Sequence, residues 1–559
     1  MTNSDVADLL KSASRLMELH QENEFKIRAF NNAAFAIDRL EDNALELSVQ
    51  DLLNIKGIGK GIISKLEEIK STGHLSELTE LYDRTPLGVV ELLSIKGLGP
   101  KKVSVIWKDL GIESPGELLY ACNENRLLSM KGFGEKTQLQ VKQSLEFAFK
   151  NKGKFHYAAI ETIAEELFEK LKQINPTSSV EFVGEYRRKC EIISSLEILI
   201  DNPDQSNDYI ELLKKTPTIE SESIEMIDST ISAKMNNGLC IKINLCESTN
   251  FANSLLELTG NEKHLEFLKG IGYERTNTQT NEEDIYQSLK LPFIIPELRE
   301  GLIEHQILNT GISPDVIQYS DLRGVLHNHS TYSDGIHTLE QMADRCKQMG
   351  FEYFGICDHS KTAVYAGGLT EESVAKQHRE IESLNQKMNP FKIFKGIESD
   401  ILADGSLDYD ETILQSFDLV VASIHSGFKM DEQRATDRII KAVSNPYTTI
   451  LGHPTGRLLL SREGYPISHK EVIDACAHYQ VAIELNAHPY RLDMDWRWIE
   501  YAMEKNVFIS INPDAHELDG ILDMQYGVHV ARKGALTKKH CLNALTLSEF
   551  ESFLHRKRK

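Results

Sequence analysis

The 559-residue sequence predicts a multidomain chain: an all-α N-terminal region, a central α/β region and a C-terminal parallel β/α barrel. Three observations predict it. Apolar residues recur at steps of three and four through residues 1–150, as in VADLLKSASRLMELH and FKIRAFNNAAFAIDRL, the period of amphipathic helices. From about Lys154 helices alternate with β-rich runs, SVEFVGEY, SLEILID and LCIKINLC. From near Asp321, short apolar strands alternate with helix-like segments such as LEQMADRCKQMG and HKEVIDACAHY, the rhythm of a parallel sheet.

Composition bounds the function. Hydrophobic residues make up 41%, enough for several cores. No run of about 18 apolar residues occurs, so no membrane span is expected. The start, MTNSDVADLLKSASRL, has no basic stretch followed by an apolar one, so no signal peptide is expected. Eight Cys without CxxC pairs fit reduced cytoplasmic thiols, not a disulfide frame or a Cys-based zinc site. A net charge of −22 argues against a broad positive face, so any nucleic-acid grip must be local.

The helical region holds an internal repeat: LLNIKGIGKGIISKL (Leu52 to Leu66), LLSIKGLGPKKVSVIW (Leu92 to Trp107) and LLSMKGFGEKTQLQV (Leu127 to Val141). Each pairs two glycines, Gly57 with Gly59, Gly97 with Gly99, and Gly132 with Gly134, just before a new helix. Such a turn points backbone N–H groups outward at a helix start, where they can hold a phosphate oxygen without reading a base. Lys60, Lys101 and Lys136, with Lys56, Lys96, Lys102 and Lys131, supply local positive charge. A tight helical corner inside a core is the structural alternative. The three repeats resemble helix-hairpin-helix motifs, which clamp the DNA backbone without sequence specificity.

In the last 250 residues, seven apolar strands each run into metal-ligand side chains: VLHNHS, FGICDHS, IFKGIESD, LVVASIHS, TILGHP, VAIELNAH and VFISINPDAH. In a parallel barrel the C-terminal strand ends converge on one mouth. That would gather His327, His329, Asp334, His359, Glu398, His425, His453, Asp514 and His516. Strand alternation would put His327 and His329 on one side. Nine such groups in one cleft repel or cost heavily to bury unless metal ions pair them, so a multinuclear metal hydrolase site is expected. The residue types suggest one ion on His327, His329, Glu398 and Asp514, a second on Glu398 and His425, and a third on Asp334, His359, His453 and His516. Two or three divalent ions (Mn²⁺, Zn²⁺ or Fe²⁺) suit these ligands, with His327, His329, Glu398, His425 and Asp514 closest to the chemistry. Asp358, Glu484, Asn486 and His488 are expected as supports. Arg457 and Arg491 would grip phosphate or form ordinary ion pairs. His337, His378, His469, His478 and His540 are expected at the surface.

From end to end the chain resembles bacterial family X DNA polymerases carrying a C-terminal polymerase-and-histidinol-phosphatase (PHP) domain. FKIRAF, the glycine repeats, VGEYRRKCEIISSLEILI, ELTGNEKHLEFL, LPFIIPELREG and the metal motifs fall in that family's order. The resemblance implies helix-hairpin-helix domains at 1–82 and 83–152, a nucleotidyltransferase-like palm at 153–250, a thumb-like domain and linker at 251–316, and a distorted (β/α)7 PHP barrel at 317–559. It also implies that all nine PHP ligand positions carry their family residue type.

The palm departs from the pattern. The family has Gly-Ser, two Arg and then Asp-x-Asp. Here stand Gly184, Glu185, Arg187, Arg188, and then Ser195, Leu196 and Glu197. The third family Asp aligns with Lys242. One carboxylate remains where two-metal nucleotidyl transfer needs several, and an ammonium replaces an anion. A palm without polymerase activity is expected; the alternative is a rearranged site on Glu197. Lys65 falls near a position that eukaryotic relatives use as a Schiff-base nucleophile, or is an ordinary surface Lys.

The expected function is therefore metal-dependent phosphoester hydrolysis on DNA: 3′→5′ exonuclease and 3′-end cleaning in repair, with abasic-site incision as an added activity. The alternatives are an active gap-filling polymerase with a proofreading PHP domain, a non-catalytic DNA scaffold, or a small-molecule phosphatase. The expected partner is gapped, nicked or 3′-ended DNA, bound without sequence specificity by a cytoplasmic monomer.

Overall fold

The computed structural model of the chain describes residues 1–40, 42–123, 126–130, 133–276 and 279–557. It divides into two compact units, Met1–Lys152 and Gly153–Lys559. Helices are the only regular elements among the described residues of the first unit. Its opening helix, Asn3–Leu19, starts at a Thr2 capping box closed by Asp5 and buries Val6, Leu10, Ala13 and Met17 on one face.

The first two glycine repeats form the expected corners. Gly57 and Gly97 take φ of 105° and 88°, values that a side chain would strain. Gly59, Gly99 and Gly134 then N-cap the helices Lys60–Thr72, Pro100–Leu110 and Glu135–Asn151, with no side chain capping any of them. The apolar residue between each glycine pair (Ile58, Leu98, Phe133) is buried and anchors the turn. Lys60, Lys101 and Lys136 are exposed beside these helix starts. Gly132 and Lys131 lie outside the described residues.

The second unit opens with a small antiparallel pair, β1 (Phe155–His156) with β3 (Ile192–Ile193). A five-stranded mixed sheet follows: β2 (Val180–Val183), β4 (Ser195–Ile200), β5 (Glu225–Ile227), β6 (Thr230–Lys234) and β7 (Cys240–Leu245), in the order β2-β4-β7-β6-β5. Helix Tyr157–Ile174 buries Ile160, Ala164, Leu167 and Leu171, and these pack with strand residues Leu196, Ile198 and Ile243 in one core. Residues 251–310 form short helices around a separate core of Leu256, Phe267, Tyr286 and Leu298.

Seven parallel strands make the C-terminal sheet in strict sequence order: β8 (Gly324–Val325), β9 (Tyr353–Ile356), β10 (Lys392–Asp400), β11 (Leu419–Ser423), β12 (Ile450–Leu451), β13 (Ala482–Asn486) and β14 (Ile509–Asn512). A parallel bridge between Asn328 and Ala515 brings the two edges together into a nearly closed barrel. Alternation decides what fills it. Ile393, Ile397, Val420, Leu451 and Ile483 join the large core that includes the surrounding helices. Phe394, Leu419, Val421, Ile450 and Ala482 form a second cluster with Tyr353, Phe550 and Leu554. Helix Leu547–Lys557 thus plugs the lower end, its Phe550 stacked on Tyr353 at 4.8 Å. With the floor sealed, the mouth at the upper strand ends is where a site can open.

Candidate metal centre

The nine sequence-predicted residues meet at that mouth. Along β10 the inward positions run Phe394, Gly396, Glu398, so the strand leaves the apolar floor and delivers a carboxylate to the top. His327 and His329 follow the end of β8 instead of lying on it. Simple alternation therefore does not place them together. His327 and Asp514 both take left-handed backbone, φ 58° and 53°, immediately before the Asn328–Ala515 bridge. Non-glycine residues there are strained, and this seam presents both side chains to the centre.

Three clusters result. In the first, Asp514 Oδ1 lies 2.9 Å from His329 Nε2 and 3.6 Å from His327 Nε2, and Glu398 Oε1 is 3.3 Å from His327 Nε2. In the second, Glu398 Oε1 is 3.1 Å from both His425 Nε2 and His453 Nε2. In the third, Asp334 is 3.5 Å from His359 Nε2 and 3.4 Å from His516 Nε2. His453, expected with Asp334, sits with Glu398 and His425 instead. The reason is topological: β12 is two strands from β10 with β11 between them, whereas Asp334 lies on the loop after β8.

Buried carboxylates orient the imidazoles from behind. Glu484 Oε2 is 2.6 Å from His327 Nδ1 and also accepts from Asn512 Nδ2, while its Oε1 accepts from the His453 backbone N–H. Asp400 Oδ1 is 2.6 Å from His425 Nδ1. Asp358 accepts from Ser330, Ser333 and Gln377, which pins the loop that carries Asp334. Sequence reasoning missed Asp400; its place two residues after Glu398, facing the neighbouring strand end, was the available signal. Partners of this kind fix the imidazole tautomer, and losing one costs about 10- to 100-fold in metal affinity or activity. Glu484→Gln is therefore expected to lower hydrolysis by about that factor, checked by activity against added metal concentration.

The carboxylates and the buried unpartnered atoms fit bound cations, whereas against burial the neighbouring Glu398 raises His359 to about 10 and His425 to about 9, where an imidazole holds its proton. Burial penalises the Glu398 carboxylate, yet His425, His327 and His359 hold it well below the usual range. Asp514 is held low against burial by His327 and His329. Burial, with His516 and His359, lowers His329 to about 3, leaving it in the neutral form that a ligand needs. His327 Nε2, His329 Nδ1, His359 Nδ1, His453 Nδ1 and Glu398 Oε2 are buried without a hydrogen bond. Such orphans are costly unless something absent from the polypeptide satisfies them. Three ligand sets, His329/Asp334/His359/His516, His327/His329/Asp514 and His359/Glu398/His425, have their atoms within 4.8 Å of one another. Ligands on one ion at about 2.0–2.2 Å stand at comparable separations.

Other expected contributors divide. Arg457 is committed inward, to Asp495 at 3.0 Å and to the carbonyls of Arg491 and Leu492. Arg491 stays at the mouth, its Nη1 3.9 Å from Asp514 Oδ2. Asn486 donates to both Glu484 and Asp514, whereas His488 turns to Tyr490. His378, expected at the surface, is half-buried against Phe417. In the helical unit, Lys65 pairs with Glu68 at 3.4 Å and Glu77 at 3.5 Å, so its amine is engaged.

In the five-stranded sheet, the residues aligned with the polymerase pattern bond to one another. Glu197 and Lys242 face each other in the β4–β7 register, with Lys242 Nζ 3.1 Å from Glu197 Oε1. Ser195 Oγ donates to the same oxygen at 2.6 Å. Glu185 accepts from the Ser194 N–H and hydroxyl. Arg187 and Arg188 bind carboxylates from residues 251–310. Arg187 reaches Glu282 at 2.7 Å and Arg188 reaches Glu300 at 2.9 Å.

Known proteins match the chain region by region. Residues 1–75 match the helix-hairpin-helix domain family, 89–146 the SAM-like helix-hairpin-helix tandem, and 326–488 the PHP domain. A DNA polymerase/3′-5′ exonuclease PolX of Bacillus subtilis (strain 168) is 34% identical over 574 aligned residues, covering 100% of both chains. A probable phosphatase of Thermoanaerobacter sp. (strain X514) is 26% identical over 42% of this chain and 94% of its own length. A probable phosphatase of Escherichia coli O81 is 29% identical over 29% of this chain and 62% of its own. No helix among the described residues is long and apolar enough to cross a membrane. With end-to-end identity at that level, and helix-hairpin-helix and PHP regions in the same order, the chain belongs to the PolX family of bacterial family X polymerases with a PHP domain.

Proposed function

We propose that the chain is a metal-dependent phosphodiesterase acting on DNA, a 3′→5′ exonuclease and 3′-end processor whose palm no longer adds nucleotides. The observation that carries this reading is the contrast between two clefts. The barrel mouth gathers nine anions and imidazoles, with buried unpartnered atoms on His327, His329, His359, His453 and Glu398, while the carboxylate of Glu197 is paired to Lys242. The names of the full-length Bacillus relative and of the phosphatases support hydrolysis.

In this reading His327, His329, Glu398 and Asp514 hold one divalent ion, Glu398, His425 and His453 a second, and Asp334, His359 and His516 a third, with Mn²⁺, Zn²⁺ or Fe²⁺ suited to the donors. Bound ions of this kind supply an activated water and neutralise charge on a phosphoester. Glu484 and Asp400 keep His327 and His425 oriented. Arg491 offers a guanidinium to the phosphate beside Asp514. The glycine turns at Gly57/Gly59 and Gly97/Gly99 and the third repeat, Gly132 and Gly134 in sequence, with Lys60, Lys101 and Lys136, hold the backbone of gapped, nicked or 3′-ended DNA. The working form is a cytoplasmic monomer with domains divided at about residues 82, 152, 250 and 316. Abasic-site incision fits the same mouth.

The name of the Bacillus relative, a DNA polymerase as well as an exonuclease, favours a second reading, an active gap-filling polymerase. The Glu197–Lys242 pair opposes it, because nucleotidyl transfer needs carboxylates free to bridge two ions. The test is end-labelled DNA under chelation and add-back. A 5′-labelled strand is expected to shorten progressively with Mn²⁺, to survive in EDTA, and to shorten again on metal return. Equal degradation in EDTA would overturn the assignment.

A further inference from the structure

The mouth carries a feature that its metal chemistry does not use. Directly after His359 the chain leaves on a short excursion, residues 360–369, and returns beside its origin, with the Leu369 N–H donating to the His359 carbonyl at 2.9 Å. The feet of this loop are fixed. Ala363 and Ala366 are buried, Gly368 N–H donates to the Ala363 carbonyl, and Thr362 donates to Asp408 at 2.7 Å and Asp400 at 3.0 Å. Its tip is nonetheless apolar and open: Val364 is 82% exposed and Tyr365 72% exposed. The Tyr365 ring centroid lies 6.1 Å from that of His359. An exposed aromatic on a braced pedestal, one ring away from a phosphoesterase centre, has a free face available to a planar group. Arg491, close to Asp514 in the same centre, can meet the phosphate of that same ligand.

We propose that Tyr365 is the platform on which the 3′-terminal base stacks while its phosphodiester lies over the His/Asp/Glu clusters. This rests on the DNA 3′-end reading above. Every base has a π-face, so such a platform positions a strand end without selecting sequence. Tyr365 is a positioning residue, and its loss should appear in KM more than in kcat.

The test uses the full chain with Mn²⁺ on single strands whose 3′-terminal nucleotide is either intact or abasic, for wild type, Tyr365→Ala and Tyr365→Trp. Stacking of one base predicts that Tyr365→Ala loses about 5- to 100-fold in kcat/KM on the intact end. Wild type should lose a similar factor on the abasic end, the two losses should not multiply, and Tyr365→Trp should retain the intact-end rate. In rapid mixing, a 3′-terminal 2-aminopurine should be quenched by wild type before cleavage and not by Tyr365→Ala. Independent, multiplying losses, or an unaffected Tyr365→Ala with normal cleavage in wild type, overturn the platform alone. Wild type that leaves every DNA end intact overturns the DNA reading and the platform with it.

Discussion

Glu398→Gln lowers DNA hydrolysis by at least about 10³-fold, because two clusters lose their shared carboxylate at once. Glu398 Oε1 lies within 3.1 Å of His425 and His453 and 3.3 Å of His327. Its carboxylate is buried, and His425, His327 and His359 hold it well below the usual range against that burial. The amide keeps the shape and removes the charge. The loss of several kcal/mol of transition-state charge stabilisation that bound metal supplies corresponds to about three decades in rate. Metal content should fall in parallel, measured by mass spectrometry of the purified chain. A variant with full metal content and less than about tenfold loss would contradict this role.

The second large effect lies away from the mouth. Glu300 accepts from Arg188 at 2.9 Å, from Asn261 at 3.1 Å and from Lys533 at 2.5 Å, joining the palm, residues 251–310 and the barrel. Lys533 is 1% exposed and also donates to the Arg188 carbonyl. Burial alone would raise the Glu300 carboxyl; Lys533 and Arg188 overcome it and hold the group at about 2, against an ordinary 4.5. A depressed carboxylate stabilises the fold above its unfolded value, and that contribution is lost as pH falls from about 4.5 toward 2. Glu300→Gln leaves the Lys533 ammonium buried without its anion, at a cost of about 3–5 kcal/mol near neutrality. As wild type protonates the same group, the two proteins should converge. Urea midpoints of both chains at pH 7 and down toward pH 3 check this. A constant difference across that range would show that the pair is not the source.

Much of this was legible beforehand because the barrel repeats one local device. An apolar run long enough for a parallel strand ends in ligand-type residues, and β10 shows it most plainly, with Phe394, Gly396 and Glu398 at a period of two. The glycine corners were equally local, since Gly57 and Gly97 take the positive φ that their spacing demands. What escaped depends on contacts across the fold. Periodicity does not say which strand ends face one another, so His453 was grouped with Asp334 instead of Glu398. Left-handed backbone at His327 and Asp514 violates local preference and is imposed by the closing seam. The partners of Arg187 and Arg188 come from about a hundred residues downstream. Nothing near VGEYRRKC announces Glu282 or Glu300.

The most direct measurement offers both activities to one enzyme: a 5′-labelled primer on a one-nucleotide gap, with Mn²⁺ and all four dNTPs. The account predicts primers shortened from the 3′ end, none lengthened, and no change in length for His327→Ala/His329→Ala. Primers lengthened by one nucleotide, in wild type and still in that double variant, would contradict it.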